Sequence, residues 1–479
     1  MPRVGETARV SDYDLVVLGA GATGLGAARE ARRKGRSVAM VEVARPGGDC
    51  THFGCVPSKS LLESARRVHA ARSGPAYGFR ADVEVDFAAV MERVQAVVEQ
   101  IEQDESPEEL ASQGIDLVQG WGTFTGPRTL EVGGRVLTSD RFVVASGSRA
   151  TVPPIDGLRE VPYLDNTSVF ALRELPEHLL VLGGGPIGVE LAQAFRRLGA
   201  GVTVVEGAPS VLTREEPEAQ AVITRVLERE GVVLRTGVQV ERVSAGPVLH
   251  LSDGSTVSGS HLLVAVGRTP ATDGFGLERT GARVGERGHV VTDKHLQAAP
   301  TVWAAGDCTS TLQFTHVGFE QGRIAAKNAF GSALVPGSRL AWDDSVVPWV
   351  TFTEPEVAHV GLTEQQAFAQ HGSAVRVSFQ PDTSSDRART AGETDGFVTL
   401  LALPGPGGMA LSKIVGMTVV GPMAGEQIAE GALALRSGML AFRLAQVIKA
   451  YPTYGIGTRF AAARLFRPLE GGTVRRARG

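Results

Sequence analysis

Two long stretches of the chain share one pattern of apolar and polar positions. In the first, the apolar run LVVL meets the turn Gly19-Ala-Gly21-Ala-Thr-Gly24. It continues through the Ala-rich run LGAAREARRKG and closes on SVAMVE, which ends at Glu42. In the second, LLVL meets Gly183-Gly-Gly185-Pro-Ile-Gly188, then VELAQAFRRLG, then VTVVE ending at Glu206. An apolar run, a glycine turn, a helical stretch and a second apolar run make a βαβ unit, and its doubling predicts two dinucleotide-binding domains. Between the two lies a helical stretch from about Phe87 to Asp104, followed by short alternating strands, TFTGPRTLEV and RVLTSDRFVVASG. Similar short strands follow the second unit as far as TVWAAGDC. From about Val346 the pattern becomes strands plus two helices with no glycine fingerprint, read as a third, C-terminal domain. LPGPGG at 403–408 reads as a hairpin or loop.

Composition narrows this picture. A chain of 479 residues is too long for one hydrophobic core. The 59 Gly cluster beside apolar runs, which suggests tight turns against bound cofactors rather than disorder. A net charge of -4 gives no reason to expect nucleic acid. No apolar run reaches the ~18 residues of a membrane span. The polar start MPRVGETARVSDYD has no stretch that would serve as a secretory signal, so a cytoplasmic protein is expected. The basic end VRRARG is expected to be solvated and frayed. Three cysteines do not make a disulfide framework; two of them close in sequence point to metal binding or redox work.

The glycines carry a physical argument. The first permits the turn, the second admits a pyrophosphate to the backbone, and the third lets the helix pack on the strand. Phosphates then lie at the positive end of the helix dipole, bonded by free N–H groups. Gly19, Gly21 and Gly24 with Glu42, and Gly183, Gly185 and Gly188 with Glu206, fit this scheme, each acid 18 positions after its third glycine to accept ribose hydroxyls. A carboxylate at Glu206 would repel a 2′-phosphate, and residues 207–213 hold no cation before Arg214, which favours NADH over NADPH.

The segment Gly47-Gly-Asp-Cys50-Thr-His-Phe-Gly-Cys55-Val-Pro-Ser-Lys59 follows the first unit directly. On a regular helix, cysteines five apart are separated by roughly 7.5 Å along the axis. Bridged cysteines want their Cα atoms within about 4.4–6.8 Å. A bond therefore requires a distortion, which Gly54 would supply, and such strain eases reduction. A helix running on from Cys55 would lower a thiolate pKa at its start. A pair of inert buried thiols is the competing reading; a zinc site lacks a second ligand pair.

GGDCTHFGCVPSK resembles the active-site signature of the class I pyridine nucleotide-disulfide oxidoreductases, the family of dihydrolipoamide dehydrogenase, glutathione reductase and mercuric reductase. VVASGSRA, with Gly147, resembles the strand where the FAD domain passes to the NAD domain; VAVGRTP, with Gly267, resembles the end of the latter. TVWAAGDC resembles the second FAD motif, and FTEPEVAHVGLTEQQA and IVGMTVVGPMAGEQI resemble the dimerisation domain. The resemblance implies an α/β fold of two Rossmann-like domains plus a C-terminal α+β dimerisation domain. An FAD-binding domain would span 1–150 and 276–345, an NAD(P)-binding domain 151–275, and the dimerisation domain 346–479.

It also implies roles. Cys55 would be the flavin-proximal thiol, and Cys50 the interchange thiol that meets the substrate. Lys59 would lie near the flavin, paired with Glu190. Gly48 and Asp307 would contact FAD, Asp307 at the ribityl chain, and His316 would sit on the helix beside the flavin ring in a packing or hydrogen-bonding role. A homodimer would pass electrons from NADH through FAD to a small-molecule acceptor. Cys308 is expected to be a buried, inert thiol.

The chain departs from the family at its C-terminal His-Pro-Thr-x-x-Glu. Here the sequence is Tyr451-Pro-Thr-Tyr454-Gly-Ile456, so both acid–base groups are missing. Tyr titrates near 10 and His near 6.5, so Tyr451 would donate a proton readily and accept one poorly. His52, between the cysteines, is a candidate replacement base, or else a helix residue pointing elsewhere. Mercuric reductase also has Tyr here, but its vicinal C-terminal cysteines have no counterpart in GGTVRRARG, and the metal-binding N-terminal domain of many of its members is not expected either. Disulfide, metal-ion and quinone acceptors stay open, as does a nonenzymatic redox sensor or complex subunit.

Overall fold

The computed structural model describes residues 11–309, 312–332, 334–406 and 408–478. The polar start at 1–10 lies outside them. Leu15–Leu18 is buried throughout, as a parallel strand covered on both faces must be. It sits inside a six-stranded sheet ordered Gln297–Ala299, Val302–Ala304, Phe142–Val144, Leu15–Leu18, Val38–Glu42 and Ile115–Gln119, parallel except for the first. The second unit builds a parallel sheet ordered Val233–Thr236, Gly201–Glu206, His178–Leu182 and His261–Val264. Two antiparallel strands, Ser148–Ala150 and Arg268–Pro270, lie where the chain leaves the first sheet and returns to it.

The helix expected from Phe87 runs Phe87–Glu102, started by Asp86, whose side chain accepts from the Ala89 N–H at 3.0 Å. Phe87, Met91, Val94 and Val98 form its buried stripe. Phe87, Met91 and Val94 pack with Leu61 and Ala65 of helix Cys55–Arg72 and with Val189 and Phe195 of helix Pro186–Leu198 in one apolar cluster. The cysteine-bearing helix is thereby clamped between an element of its own unit and the glycine-turn helix of the other. Truncating Met91 to Ala would open a cavity there at a cost of about 2–5 kcal/mol.

The C-terminal region is a six-stranded antiparallel sheet ordered Pro348–Thr351, Glu356–Gly361, Gly408–Gly421, Phe397–Gly405, Arg376–Pro381 and Thr473–Arg476. The proline–glycine patch at 403–408 is its hairpin, with Gly407 outside the described residues. Two expectations are corrected here. Among the described residues five α-helices accompany these strands rather than two: Glu364–His371, Asp386–Ala391, Ala424–Arg436, Ala441–Gln446 and Ile456–Arg464. Several are too short for helical periodicity to stand out. The basic tail is not frayed: Thr473–Arg476 pairs along Arg376–Phe379, and Arg475 forms ion pairs with Glu364 and Glu218. Among the described residues no helix is long and apolar enough to cross a membrane.

Candidate active site

The two glycine turns fold alike. Gly19 and Gly183 have φ of 102° and 111°, which a side chain would resist. A Cβ on Gly24 would overlap the carbonyl oxygen of Gly19, and one on Gly188 that of Gly183. The helices that follow, Ala22–Arg33 and Pro186–Leu198, begin at Gly21 and Gly185 with no side-chain cap and no acid in the first turn. Their leading N–H groups are left for anions, as two dinucleotide pyrophosphates require. Glu42 accepts from the N–H groups of Ala20 and Ala44, both at 2.8 Å. Glu206 does the same with Gly184 at 2.6 Å and Ala208 at 2.8 Å. Each acid is locked at its strand end with lone pairs remaining for hydroxyl donors. The residues present fit FAD and a nicotinamide dinucleotide.

The cysteine segment is stitched onto the first turn. The Gly47 N–H donates to the Ala20 carbonyl at 2.8 Å, and Gly48 lies against Gly21, where a Cβ would come within 2.8 Å of the Gly21 Cα. Two helices follow where a regular one would hold the sulfurs apart: Gly48–His52, then Cys55–Arg72. The break falls at Phe53 and Gly54, the latter at φ −123° and ψ −113°. Both cysteines are free thiols, and Cys50 donates to the Cys55 sulfur. That donation, the hydroxyl of Thr315 at 3.3 Å and the charge of Lys59 hold the Cys55 thiol down to about 6. The same hydrogen bond, with burial, pushes Cys50 up. The pair thus shares one proton unequally, with Cys55 as the thiolate.

One helical turn beyond Cys55, the Lys59 ammonium meets Glu190 at 2.8 Å. Glu190 is only 5% exposed, so it is no solvated surface residue. Its other oxygen accepts from the Phe352 N–H at 2.8 Å, and Lys59 lies 4.5 Å from the centre of the Phe352 ring.

Asp307 accepts from Ser148 at 2.6 Å, and burial raises its pKa. Gly147 and Gly267 flank the two antiparallel linking strands with open space beside them. His316 takes the second position of helix Thr315–Ala329 and bonds the Pro348 carbonyl at 2.8 Å. His52 is buried, its Nε2 bonds the Pro46 carbonyl at 2.7 Å, and its buried Nδ1 has no hydrogen-bond partner among the described residues. Cys308 is fully buried, and burial pushes its thiol up to about 11. Tyr451 is exposed and donates to Asp386 at 2.9 Å. Among the described residues no group of three or more His, Cys, Asp or Glu could hold a metal ion.

Sequence reasoning passed over several of these partners. Arg268 pairs with Asp49 at 2.9 Å and lies 3.9 Å from Asp307. Asn166 donates to Asp49 at 3.0 Å. This network ties the residue beside Cys50 to the linking strands and to Asp307. Thr315, Phe352 and Asp386 were missed as well. The signal nearest at hand was the acid in Gly-Gly-Asp49-Cys50, a carboxylate beside the thiol pair that a cation elsewhere in the chain would balance.

The family described as pyridine nucleotide-disulphide oxidoreductase matches residues 13–322, and its dimerisation domain matches 347–459. A mercuric reductase of Streptomyces lividans is 38% identical over 464 residues, covering 94% of this chain and 95% of its own. A dihydrolipoyl dehydrogenase of Thermus scotoductus is 35% identical over 471 residues, covering 95% and 98%. Among solved structures, the HOCl-induced flavoprotein disulfide reductase RclA of Escherichia coli matches with a TM-score of 0.82 at 29% identity, covering 94% of this chain and 99% of its own.

Proposed function

Since this chain belongs to the pyridine nucleotide-disulphide oxidoreductases, we propose that it draws two electrons from NADH, reduces its own Cys50–Cys55 disulfide with them, and delivers them to a small acceptor. The balance is NADH plus a proton plus the disulfide giving NAD⁺ and two thiols. FAD, when bound, supplies hydride acceptance from nicotinamide and electron transfer to sulfur. FAD is assigned to residues 1–150 and 276–345, where Gly19, Gly21, Gly24, Glu42, Gly48 and Asp307 would hold it, with Gly147 and His316 bordering the site. The nicotinamide dinucleotide is assigned to 151–275 through Gly183, Gly185, Gly188 and Glu206, with Gly267 at its edge. NADH is favoured over NADPH because Glu206 keeps a fixed carboxylate at its strand end.

The protein's own groups then act on the sulfurs. The observation that carries the reading is Cys55 at a helix start, its thiol held near 6, with the Lys59–Glu190 pair one turn further on. The helix dipole and the fixed ammonium both favour negative charge at Cys55. Cys50, the protonated partner, is the sulfur left to meet an acceptor, which it would attack as the thiolate once its proton has passed to water or to the acceptor. Residues 346–479 are assigned to a homodimer contact, which would bring Tyr451 to the partner's cysteines.

Tyr451 favours a second reading of the acceptor. The hydrogen bond to Asp386 raises its pKa, so it keeps its proton and is a poor base for disulfide exchange. A metal ion or a quinone needs no such base on the enzyme. Anaerobic titration with NADH tests the main reading: the enzyme should take up two electrons beyond those held by FAD and develop a long-wavelength thiolate-to-flavin absorbance. Cys50→Ser should show that absorbance without reductant. Purified protein without flavin would overturn the reading. An acceptor screen with and without Tyr451→Phe separates disulfide, metal and quinone.

A further inference from the structure

We propose that Thr315 is a positioning residue for the thiol pair: its hydroxyl donates to the Cys55 sulfur and so fixes the thiolate on Cys55 rather than Cys50. This rests on the reading above that Cys55 is the flavin-proximal sulfur. The oxygen lies 3.3 Å from Cys55 Sγ. A thiolate can only accept, so once Cys55 is ionised the hydroxyl proton must point at it. Thr315 lies near enough to Cys50 to favour ionisation there too, but it has one proton, and the contact within bonding distance is to Cys55.

The hydroxyl has little freedom to be elsewhere. Thr315 opens helix Thr315–Ala329, which docks on the first glycine-turn helix through contacts that only glycine allows. A Cβ on Gly26 would overlap the Phe319 carbonyl, and a Cβ on Gly322 would overlap that of Thr23. Gly306, just before Asp307, donates its N–H to Gln321 of the same helix at 2.8 Å. The bond from His316 to the Pro348 carbonyl pins the helix start to the C-terminal sheet. The first FAD-type turn, the second FAD-type motif and the dimerisation region therefore all bear on where one hydroxyl stands.

The charged and titratable groups that face Cys55 are Cys50 from the preceding helix, Lys59 from its own helix and Glu190 from the second unit. Lys59 and Glu190 act in opposite directions. The Cys50 thiol is a donor only while reduced and uncommitted. When Cys50 is bonded to an acceptor, Thr315 is the hydrogen-bond donor that stays with Cys55.

The test uses the two-electron-reduced holoenzyme, titrated anaerobically over pH 4–9 while the long-wavelength absorbance of the Cys55 thiolate beside flavin is followed. Thr315→Val should raise the midpoint by about one pH unit, a tenfold loss of thiolate at a fixed pH below it. Thr315→Ser, which restores a hydroxyl, should return the midpoint toward wild type. Thr315→Ala carries the same expectation as valine should valine not be accommodated. A midpoint unchanged in both Val and Ala variants, with the band intact, would overturn this inference and leave the electron path standing. Absence of the band from wild type at every pH would overturn both together.

Discussion

The two glycine turns are built to one plan, yet only one of them is joined to the cysteine pair. Both have the left-handed first glycine, the third glycine pressed on the first, the uncapped helix and the doubly bonded glutamate. What differs is what hangs from the plan. The first turn is sewn to Gly47 and Gly48 and so to Cys50 and Cys55. The second contributes Glu190, which crosses to the first unit to hold Lys59. Cradling a dinucleotide is a property of the repeated backbone. The proposed sulfur chemistry would draw on one inserted segment plus one carboxylate lent by the other copy.

The comparison is easiest to break at the third glycines. Gly24→Ala should cost FAD itself and give colourless protein, whereas Gly188→Ala should stay yellow and lose NADH affinity by about tenfold to a hundredfold. Absorbance of the purified proteins and NADH binding read the two effects; loss of colour in both would mean the turns do not serve separate cofactors. Next, Glu190→Gln leaves the Lys59 ammonium without its partner. Because Lys59 is about one-third exposed, solvent tempers the effect, and reduction of the disulfide by NADH should slow about tenfold in stopped-flow traces. The glutamates sharpen the contrast further. Glu206→Gln should shift the ratio of kcat/KM for NADPH over NADH upward by about tenfold, while Glu42→Gln should leave that ratio alone.

The smallest effect concerns the seam between the second unit and the C-terminal sheet. Burial raises Glu215, which accepts from Trp349 at 2.8 Å, to about 7. The folded protein then holds that proton more tightly than the unfolded chain does. Its contribution to stability is full below about 4.5 and lost as pH rises through about 7. Glu215→Gln should therefore raise the melting temperature at pH 8 by a few degrees, on the order of 1 kcal/mol, and change it little at pH 4.

Both glycine turns, their acids and the break at Gly54 were legible in the sequence because each depends on residues within about twenty positions of one another. Lys59 and Glu190 were paired only through resemblance, since 131 positions separate them. Thr315 lies 260 positions from Cys55, and Arg268 pairs with Asp49 across the length of the second unit. No local periodicity announces such contacts. Thr315 stands beside His316 at the start of one helix, and nothing in the local sequence sets the hydroxyl apart from the imidazole. The tail was misread for a related reason: a strand whose partner is Arg376–Pro381 carries no mark of that partner in VRRARG itself.

That closing strand has a practical bearing. Arg475 reaches Glu218 on the nucleotide-binding side and Glu364 beside the terminal sheet, so the last residues latch two modules together. A purification handle fused there, or a trim of half a dozen residues, would slacken the latch and show first as easier proteolysis near 217–229, well before any harm reached the sulfurs.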